Sequence, residues 1–211
     1  PLTLIKAPLE EIQQKENLSE ESQANMLTAM KNVDTLLRLT TNLINFSKAN
    51  VYSSSLRISE HELNTYMEGI CHAFYSYAEA KQIKLDYKSN FEYQNVWFDK
   101  EKMDSITKNL ISNAIKYTPA HGEVHIIICH DKDNWSLEIT DTGIGIPAKE
   151  QKKLFKLHFR GSNAINAKIT GSGIGLMLVW KLVRIHKGKI SIESVENKGT
   201  RVKVIFPQKQ F

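Results

Sequence analysis

The run Asn109-Leu110-Ile111-Ser112-Asn113-Ala114-Ile115-Lys116-Tyr117-Thr118 is followed by two glycine clusters, Asp141-Thr142-Gly143-Ile144-Gly145-Ile146-Pro147 and Gly171-Ser172-Gly173-Ile174-Gly175-Leu176. This ordered triplet constrains the chain more than any other feature. Glycines lack a Cβ and let the backbone approach a ligand closely. Amides at a helix N-terminus are ready donors to an anion, and neighbouring carboxamides suit a hard, oxygen-seeking cation. Together the three blocks read as a nucleotide site. The commoner phosphate loops are excluded by spacing. Neither cluster completes G-x-G-x-x-G, because Ala148 stands where the first requires its third glycine and Leu176 or Leu178 where the second does, and no G-x-x-x-x-G-K-[ST] occurs.

Composition places these blocks in an ordinary globular setting. With 211 residues, 41% hydrophobic and 24% charged, the chain can bury one full core and carry an appendage. No apolar run approaches the roughly 18 residues that span a bilayer, and no signal peptide is visible. A cytoplasmic piece without membrane contact is expected. The net charge is +5, but the lysines are scattered and no run of five basic residues occurs, so nucleic acid is not an expected partner. Cys71 and Cys129 lie in apolar settings and are too few for a disulfide framework or a zinc site. The histidines at 61, 72, 121, 125, 130 and 186 show no ligand spacing.

The pattern changes near residue 51. Met26, Met30, Val33, Leu37, Thr40, Ile44 and Ser47 step by fours and threes, with Leu36 and Leu43 widening the stripe, which marks an interface helix. Ser19, with Glu20 and Glu21 behind it, is a suitable start for that helix. Leu2, Ile5, Leu9 and Ile12 give a shorter helical pattern before it, so residues 1–50 read as a helical hairpin. Two helices cannot bury both faces alone. The stripe packs either on the rest of the chain or on a second copy in a four-helix bundle. The serine-rich stretch 51–59 reads as a linker.

Beyond it, Glu60 to Ala80 is helical by the spacing of Leu63, Met67, Ile70 and Phe74, and Ile83, Leu85 and Tyr87 alternate as a strand. A helix over 100–118, a hairpin of 123–130 with 135–141, a helix over 175–186 and strands near 189–193 and 201–206 follow. Many hairpins and few β-α-β crossovers predict a mixed sheet covered on one face by helices, a two-layer α/β sandwich. The long stretch between Ile146 and Thr170 is a candidate mobile or functional loop.

The three blocks resemble the N box and the two glycine boxes of sensor histidine kinases, the two-component signalling branch of the Bergerat-fold ATP-binding superfamily. Leu154-Phe155-Lys156-Leu157-His158-Phe159-Arg160 resembles that family's F box, and Gly199-Thr200-Arg201-Val202-Lys203-Val204 its final glycine-threonine strand. Pro1-Leu2-Thr3-Leu4-Ile5 is similar to the segment that follows the phosphoacceptor motif His-Glu-x-Arg-Thr-Pro. On that alignment Pro1 is the motif's proline, the acceptor histidine precedes the chain, no catalytic residue lies within it, and the chain is a piece of a larger, membrane-anchored receptor that cannot phosphorylate itself. The resemblance covers the whole chain and is weakest between Val51 and Asn95. It implies a hairpin at 1–50 that dimerises, a linker at 51–59, and a catalytic and ATP-binding domain at 60–211.

The resemblance also assigns roles. Asn113 coordinates Mg²⁺ between the phosphates of ATP with help from Asn109, one turn away on the same helix face, and Lys116 and Tyr117 contact phosphate. Asp141 accepts from the adenine amino group, supported by Thr200, and selects adenine because guanine offers a carbonyl there. Gly143, Gly145 and Ile146 bring backbone against the base. Gly171, Ser172, Gly173, Gly175 and Leu176 bring amides to the phosphates. The stretch 146–170 is the lid, and Arg160 faces the phosphate tail, where a guanidinium can bind in bidentate fashion. His158 stands where the F box has its second aromatic, which leaves the lid's packing open. The implied activity is transfer of the ATP γ-phosphoryl to a histidine on a hairpin, relayed to an aspartate of a response-regulator receiver domain. A gyrase-type ATPase of the same superfamily and a dimerisation scaffold are the alternatives. The ATPases resemble one another in carrying a water-activating Glu four residues before the metal Asn, where this chain has Asn109.

Overall fold

The computed structural model describes residues 5, 8–9, 11–12, 19–51, 56–156, 159–167, 169 and 171–208, with the backbone alone at 37–39 and 41–51. They fall into two compact units, Pro1–Asn50 and Val51–Phe211.

In the first unit, helix α1 runs Glu20–Val51. Its start is set by Ser19, whose Oγ accepts from the Ser22 amide at 3.3 Å, and by Glu20 and Glu21 in the first turn, where the helix dipole favours negative charge. Met26, Met30 and Val33 are its shielded apolar positions, whereas Leu27 and Leu36 stand 57% and 49% exposed. Ile5, Leu9 and Ile12 are helical as well. Leu2, at the head of the first helical pattern, lies outside the described residues, as do the side chains of Leu37, Leu43, Ile44 and Ser47.

The second unit is a two-layer α/β sandwich. Strands β1 (Ile58–Glu62), β2 (Lys84–Ser89), β3 (Asn95–Asp99), β4 (Glu123–His130), β5 (Asn134–Asp141), β6 (Lys189–Val195) and β7 (Gly199–Pro207) alternate with α2 (Leu63–Ala80), α3 (Lys100–Tyr117) and α6 (Gly175–Ile185), while the short α4 (Ala148–Gln151) and α5 (Ser162–Asn166) interrupt the long loop. The main sheet has the order β2-β4-β5-β7-β6. Its β2–β4 pair is parallel and the other three pairs are antiparallel.

Alternation explains the layering. Along β4, Val124, Ile126 and Ile128 are buried while Glu123, His125 and Ile127 are half-exposed, and β5 repeats the pattern with Trp135, Leu137 and Ile139. One face therefore carries the core. Onto it pack Met67 and Ile70 of α2, Ile106, Leu110 and Ile111 of α3, and Leu178, Val179 and Leu182 of α6, all buried. Trp135 anchors the layer, with the Phe206 ring 4.6 Å and the Phe98 ring 5.9 Å away between centroids.

The structure departs from the sequence reading around residues 51–62. Helix α1 extends to Val51, residues 52–55 lie outside the described set, and Ile58–Glu62 form strand β1, which pairs antiparallel with β3 as a separate two-stranded sheet. Thus the linker expected over 51–59 gives way to a strand at Ile58, and the helix expected from Glu60 begins at Leu63. The cap explains the difference. Glu62 accepts from the amides of Asn64 and Thr65 at 3.0 and 2.6 Å, a task that Ser, Thr, Asp or Asn more often performs. It also takes the Gln94 amide at 3.1 Å, joining the helix start to the approach of β3. Among the described residues, no helix is long and apolar enough to cross a membrane.

Candidate nucleotide site

Helix α3 carries the Asn109 block, and both its ends are fixed. At the start, the Asp99 carboxylate accepts from the Lys102 amide at 3.1 Å. At the finish, Lys81 Nζ donates to the carbonyls of Ile115 and Lys116 at 2.7 and 3.2 Å, satisfying two of the acceptors a helix C-terminus leaves over. That end presents Lys116, whose ammonium donates to Tyr117 Oη at 3.1 Å and sits 4.5 Å from its ring centroid. A Cβ placed on Gly171 would strike Lys116 Nζ, so the second glycine cluster lies directly against this pair. Two turns earlier, Asn109 donates from Nδ2 to the Ser105 carbonyl at 2.7 Å. Its Oδ1 faces Gly175, where a Cβ would come within 2.6 Å. Asn113, on the same face of α3, is half-buried and makes no side-chain hydrogen bond among the described residues.

Gly175 opens α6, and the N-cap position, Ile174, supplies no side-chain hydrogen bond to the first turn. Ser172 Oγ accepts from the Ile174 amide at 3.4 Å. The first-turn amides of α6 open beside Asn109, whose Oδ1 faces Gly175, and such amides are ready donors to an anion. Leu176, half-buried, follows in the first turn.

Asp141 ends β5 beside Thr200 of β7. It is 8% exposed. Its Oδ1 accepts from the amides of Gly143 and Thr200 at 2.8 and 3.2 Å, leaving Oδ2 unengaged by either. Burial raises its pKa from 3.8 to about 6, against the lowering effect of those two amides. Thr200 Oγ1 in turn shares a hydrogen bond with Ser194 Oγ at 2.9 Å. The loop after Asp141 is held from both sides, with the Ile144 amide donating to the Tyr117 carbonyl at 3.1 Å and the Asn197 amide donating to the Ile144 carbonyl at 2.8 Å. Gly145 (φ +60°) passes so close to the β6–β7 turn that a Cβ would collide with the Val195 carbonyl. Gly199 (φ +120°) meets the Asp141 carbonyl in the same way, and only glycine suits either place.

The long loop between Ile146 and Thr170 packs near the start of this site. Phe155 rests near α6, its ring 6.3 Å from that of Trp180. Arg160 Nη2 donates to the Ile169 carbonyl, and among the described residues its buried Nε has no partner. Arg160 is therefore held by the long loop's own backbone. Leu157 and His158, where the aromatic pattern is broken, lie outside the described residues.

Three positioning residues carry no motif. Gln151 Nε2 donates to the carbonyls of Ile146 and Ser194 at 3.1 and 2.7 Å, Asn163 Nδ2 donates to those of Gly145 and Ile144 at 2.9 and 3.3 Å, and Lys81 holds the end of α3. Long amide and ammonium side chains on polar segments look solvated in a sequence. Only the fold supplies the carbonyls they bind.

These residues fit a nucleotide with a divalent cation. Asp141 Oδ2 is engaged by neither of the amides that hold Oδ1, and among the described residues Arg160 Nε has no partner. No cluster of three or more His, Cys, Asp or Glu suited to a metal occurs among the described residues. The carboxamide oxygens of Asn109 and Asn113 are the side-chain groups of α3 that could hold a cation, together with oxygens of its ligand.

Residues 98–210 match the family described as histidine kinase-, DNA gyrase B-, and HSP90-like ATPase. The chain is 29% identical to histidine kinase P4 of Formosa agariphila over 98% of its own length, and spans 15% of that protein. Among solved structures, ShkA in complex with AMPPNP superposes with TM-score 0.77 at 17% identity, covering 99% of this chain and 45% of that one. Histidine kinase ThkA, crystallised in complex with response regulator protein TrrA, superposes with TM-score 0.68 at 21% identity, covering 99% of this chain and 58% of that one.

Proposed function

The chain belongs to the family of histidine kinase-, DNA gyrase B- and HSP90-like ATPases, and from that premise we propose that it is the ATP-binding core of a sensor histidine kinase. In this reading it donates the ATP γ-phosphoryl to a histidine, from which a response-regulator receiver domain takes it. The relatives support the kinase branch, since histidine kinase P4 aligns along nearly the whole chain. The observation that carries the reading is Asp141, a buried carboxylate whose Oδ1 accepts from the amides of Gly143 and of Thr200 in β7 while its Oδ2 is engaged by neither.

Phosphoryl transfer asks a protein mainly for positioning and charge neutralisation. Asp141 Oδ2 accepts from the adenine amino group. Lys116 and the first-turn amides of α6 face the phosphates, and Arg160 adds a second cation from the lid. Asn113 and Asn109 would hold Mg²⁺ through their side-chain oxygens, and the ion, when bound, offsets phosphate charge. Asn109 also argues against an ATP hydrolase. Its carboxamide donates to Ser105 and has no basic site with which to take a proton from water. Leu27 and Leu36, exposed on α1, support a homodimer through the first unit.

The reading is tested by titrating MgATP and MgGTP into wild type and Asp141→Asn in a calorimeter. Losing a hydrogen bond to a charged group costs about 1.5 to 3 kcal/mol, so the variant is expected to bind ATP at least about tenfold more weakly and to lose its preference over GTP. Equal affinities of both proteins for ATP would remove Asp141 from the base site and the reading with it.

A further inference from the structure

Gln151 and Asn163 both join the long loop to the first glycine loop, and neither the three blocks nor the aromatic motif includes Asn163. We propose that Asn163 is a positioning residue that makes the lid answer to the adenine base. Its carboxamide clasps the loop against which the base docks and passes the loop's position to Arg160. The proposal rests on the nucleotide reading above and goes beyond it by separating base recognition from lid ordering.

The geometry runs in one direction. The Ile144 and Gly145 carbonyls both accept from Asn163 Nδ2, at 3.3 and 2.9 Å. On the far side, Gly145 abuts the Val195 carbonyl, and the Asn197 amide also holds the Ile144 carbonyl at 2.8 Å. The loop is therefore backed by the β6–β7 turn and by α3, whose Tyr117 carbonyl accepts from the Ile144 amide, and Asn163 ties it to α5. Asn163 belongs to α5, a single closed turn in which the Ile165 amide donates to the Gly161 carbonyl at 3.1 Å, the Ala167 amide to the Asn163 carbonyl at 2.9 Å and the Ile169 amide to the Ala164 carbonyl at 3.0 Å. The Ile169 carbonyl then accepts from Arg160 Nη2. One continuous set of hydrogen bonds thus leads from Gly145 to the lid's arginine. The turn is steadied at its start by Glu150, which accepts from the Ser162 amide at 3.0 Å. Nothing in this set requires a phosphate. Occupancy of the base subsite alone fixes the loop carbonyls, and through Asn163 it fixes α5.

Hydrogen exchange of the whole chain, alone and with saturating ADP or magnesium tripolyphosphate, tests this. In wild type, ADP is expected to slow the amides of Ile165, Ala167 and Ile169 by at least about tenfold, the equivalent of one lost charged or paired hydrogen bond, whereas tripolyphosphate slows them little. Asn163→Ala should still bind ADP but lose that slowing, with unchanged affinity for tripolyphosphate and an unchanged exchange pattern in β4 and β5. Asn163→Asp, which keeps the side chain's size but turns an oxygen toward two carbonyls, should lose it more completely. A merely structural role would speed exchange of these amides equally with and without ADP. Overturning results are ADP-dependent slowing retained in Asn163→Ala, or no slowing in wild type although calorimetry shows ADP bound. Absence of ADP binding to wild type would instead strike the nucleotide reading itself.

Discussion

At the scale of single residues, Asp141 sets function against stability. A buried carboxylate whose pKa is raised to about 6 in the fold and stands near 3.8 outside it binds its proton more tightly when folded. The associated stability is present below 3.8 and is lost as pH rises through about 6. Asn at this position keeps an oxygen for the Gly143 and Thr200 amides and removes the buried charge. Asp141→Asn is therefore expected to melt about 2 to 4 °C higher at pH 7.5 for each kcal/mol relieved, with the advantage vanishing below pH 4, while binding ATP more weakly. Differential scanning calorimetry across pH checks the first part. The same titration predicts that wild-type ATP affinity weakens below pH 6, as protonation occupies the acceptor, with a limb that the Asn variant's pH profile lacks. If both proteins show the same profile between pH 5 and 7.5, the acceptor role is wrong.

Among elements, the far ends of α3 and α6 are joined by His186. Its Nδ1 donates to the Leu182 carbonyl at 2.8 Å and its Nε2 accepts from the Asp99 amide at 3.3 Å, an arrangement only the neutral ring satisfies. Desolvation lowers its pKa. Asp99 is also buried, which alone would raise its pKa, but the hydrogen bond from Lys102 Nζ and the amides of Arg57 and Lys102 together hold it below the ordinary carboxylate value. For His186 the folded state refuses a proton that the unfolded chain accepts near pH 6.5. Its contribution to stability is complete above that value and declines as pH falls through it. Chemical denaturation at pH 7.5 and pH 5.5 is expected to show wild type losing more stability over this interval than His186→Gln, whose side chain has no such titration. An equal loss would mean that the ring is charged in the fold.

The same scale shows what could be seen in advance. Helices α3 and α6 and the β4–β5 hairpin were legible because their apolar periods are long and their ends are marked by Pro119, Gly175 and Asp131. Strand β1, Ile-Ser-Glu-His-Glu, has no apolar alternation. Its register comes from β3 and from the Asp99 carboxylate receiving the Arg57 amide at 2.9 Å, a contact 42 residues distant that no local window contains. In the site, Asn109, Lys116 and Tyr117 could be grouped with Gly171 and Gly175 because the blocks announce themselves. Gln151, Asn163 and Lys81 could not, since each acts on backbone carbonyls whose location depends on the fold. The attachment of Arg160 to the Ile169 carbonyl could not be read from the sequence.

For the whole molecule, the chain divides into two units at Asn50 and Val51. Every residue of the candidate site lies in the second unit. Replacing the exposed Leu27 and Leu36 of α1 by Glu places charges on the first unit and is expected to shift the chain from dimer to monomer, read by sedimentation velocity. ATP affinity should stay within about twofold, since surface changes remote from a site seldom couple to it. A dimer that persists unchanged would show that these leucines face something other than a second copy.

The order β2-β4-β5-β7-β6 places the last strand in the sequence inside the sheet, between two that are made before it. A ribosome releasing this chain therefore delivers β5 with one edge unpaired. That edge stays open until Gly199–Pro207 has left the exit tunnel, and α6, already synthesised, has an incomplete surface to cover. Open strand edges invite pairing with other chains. The interval between residues 141 and 207 is thus the vulnerable part of biosynthesis, when chaperone capture and aggregation compete with insertion of β7.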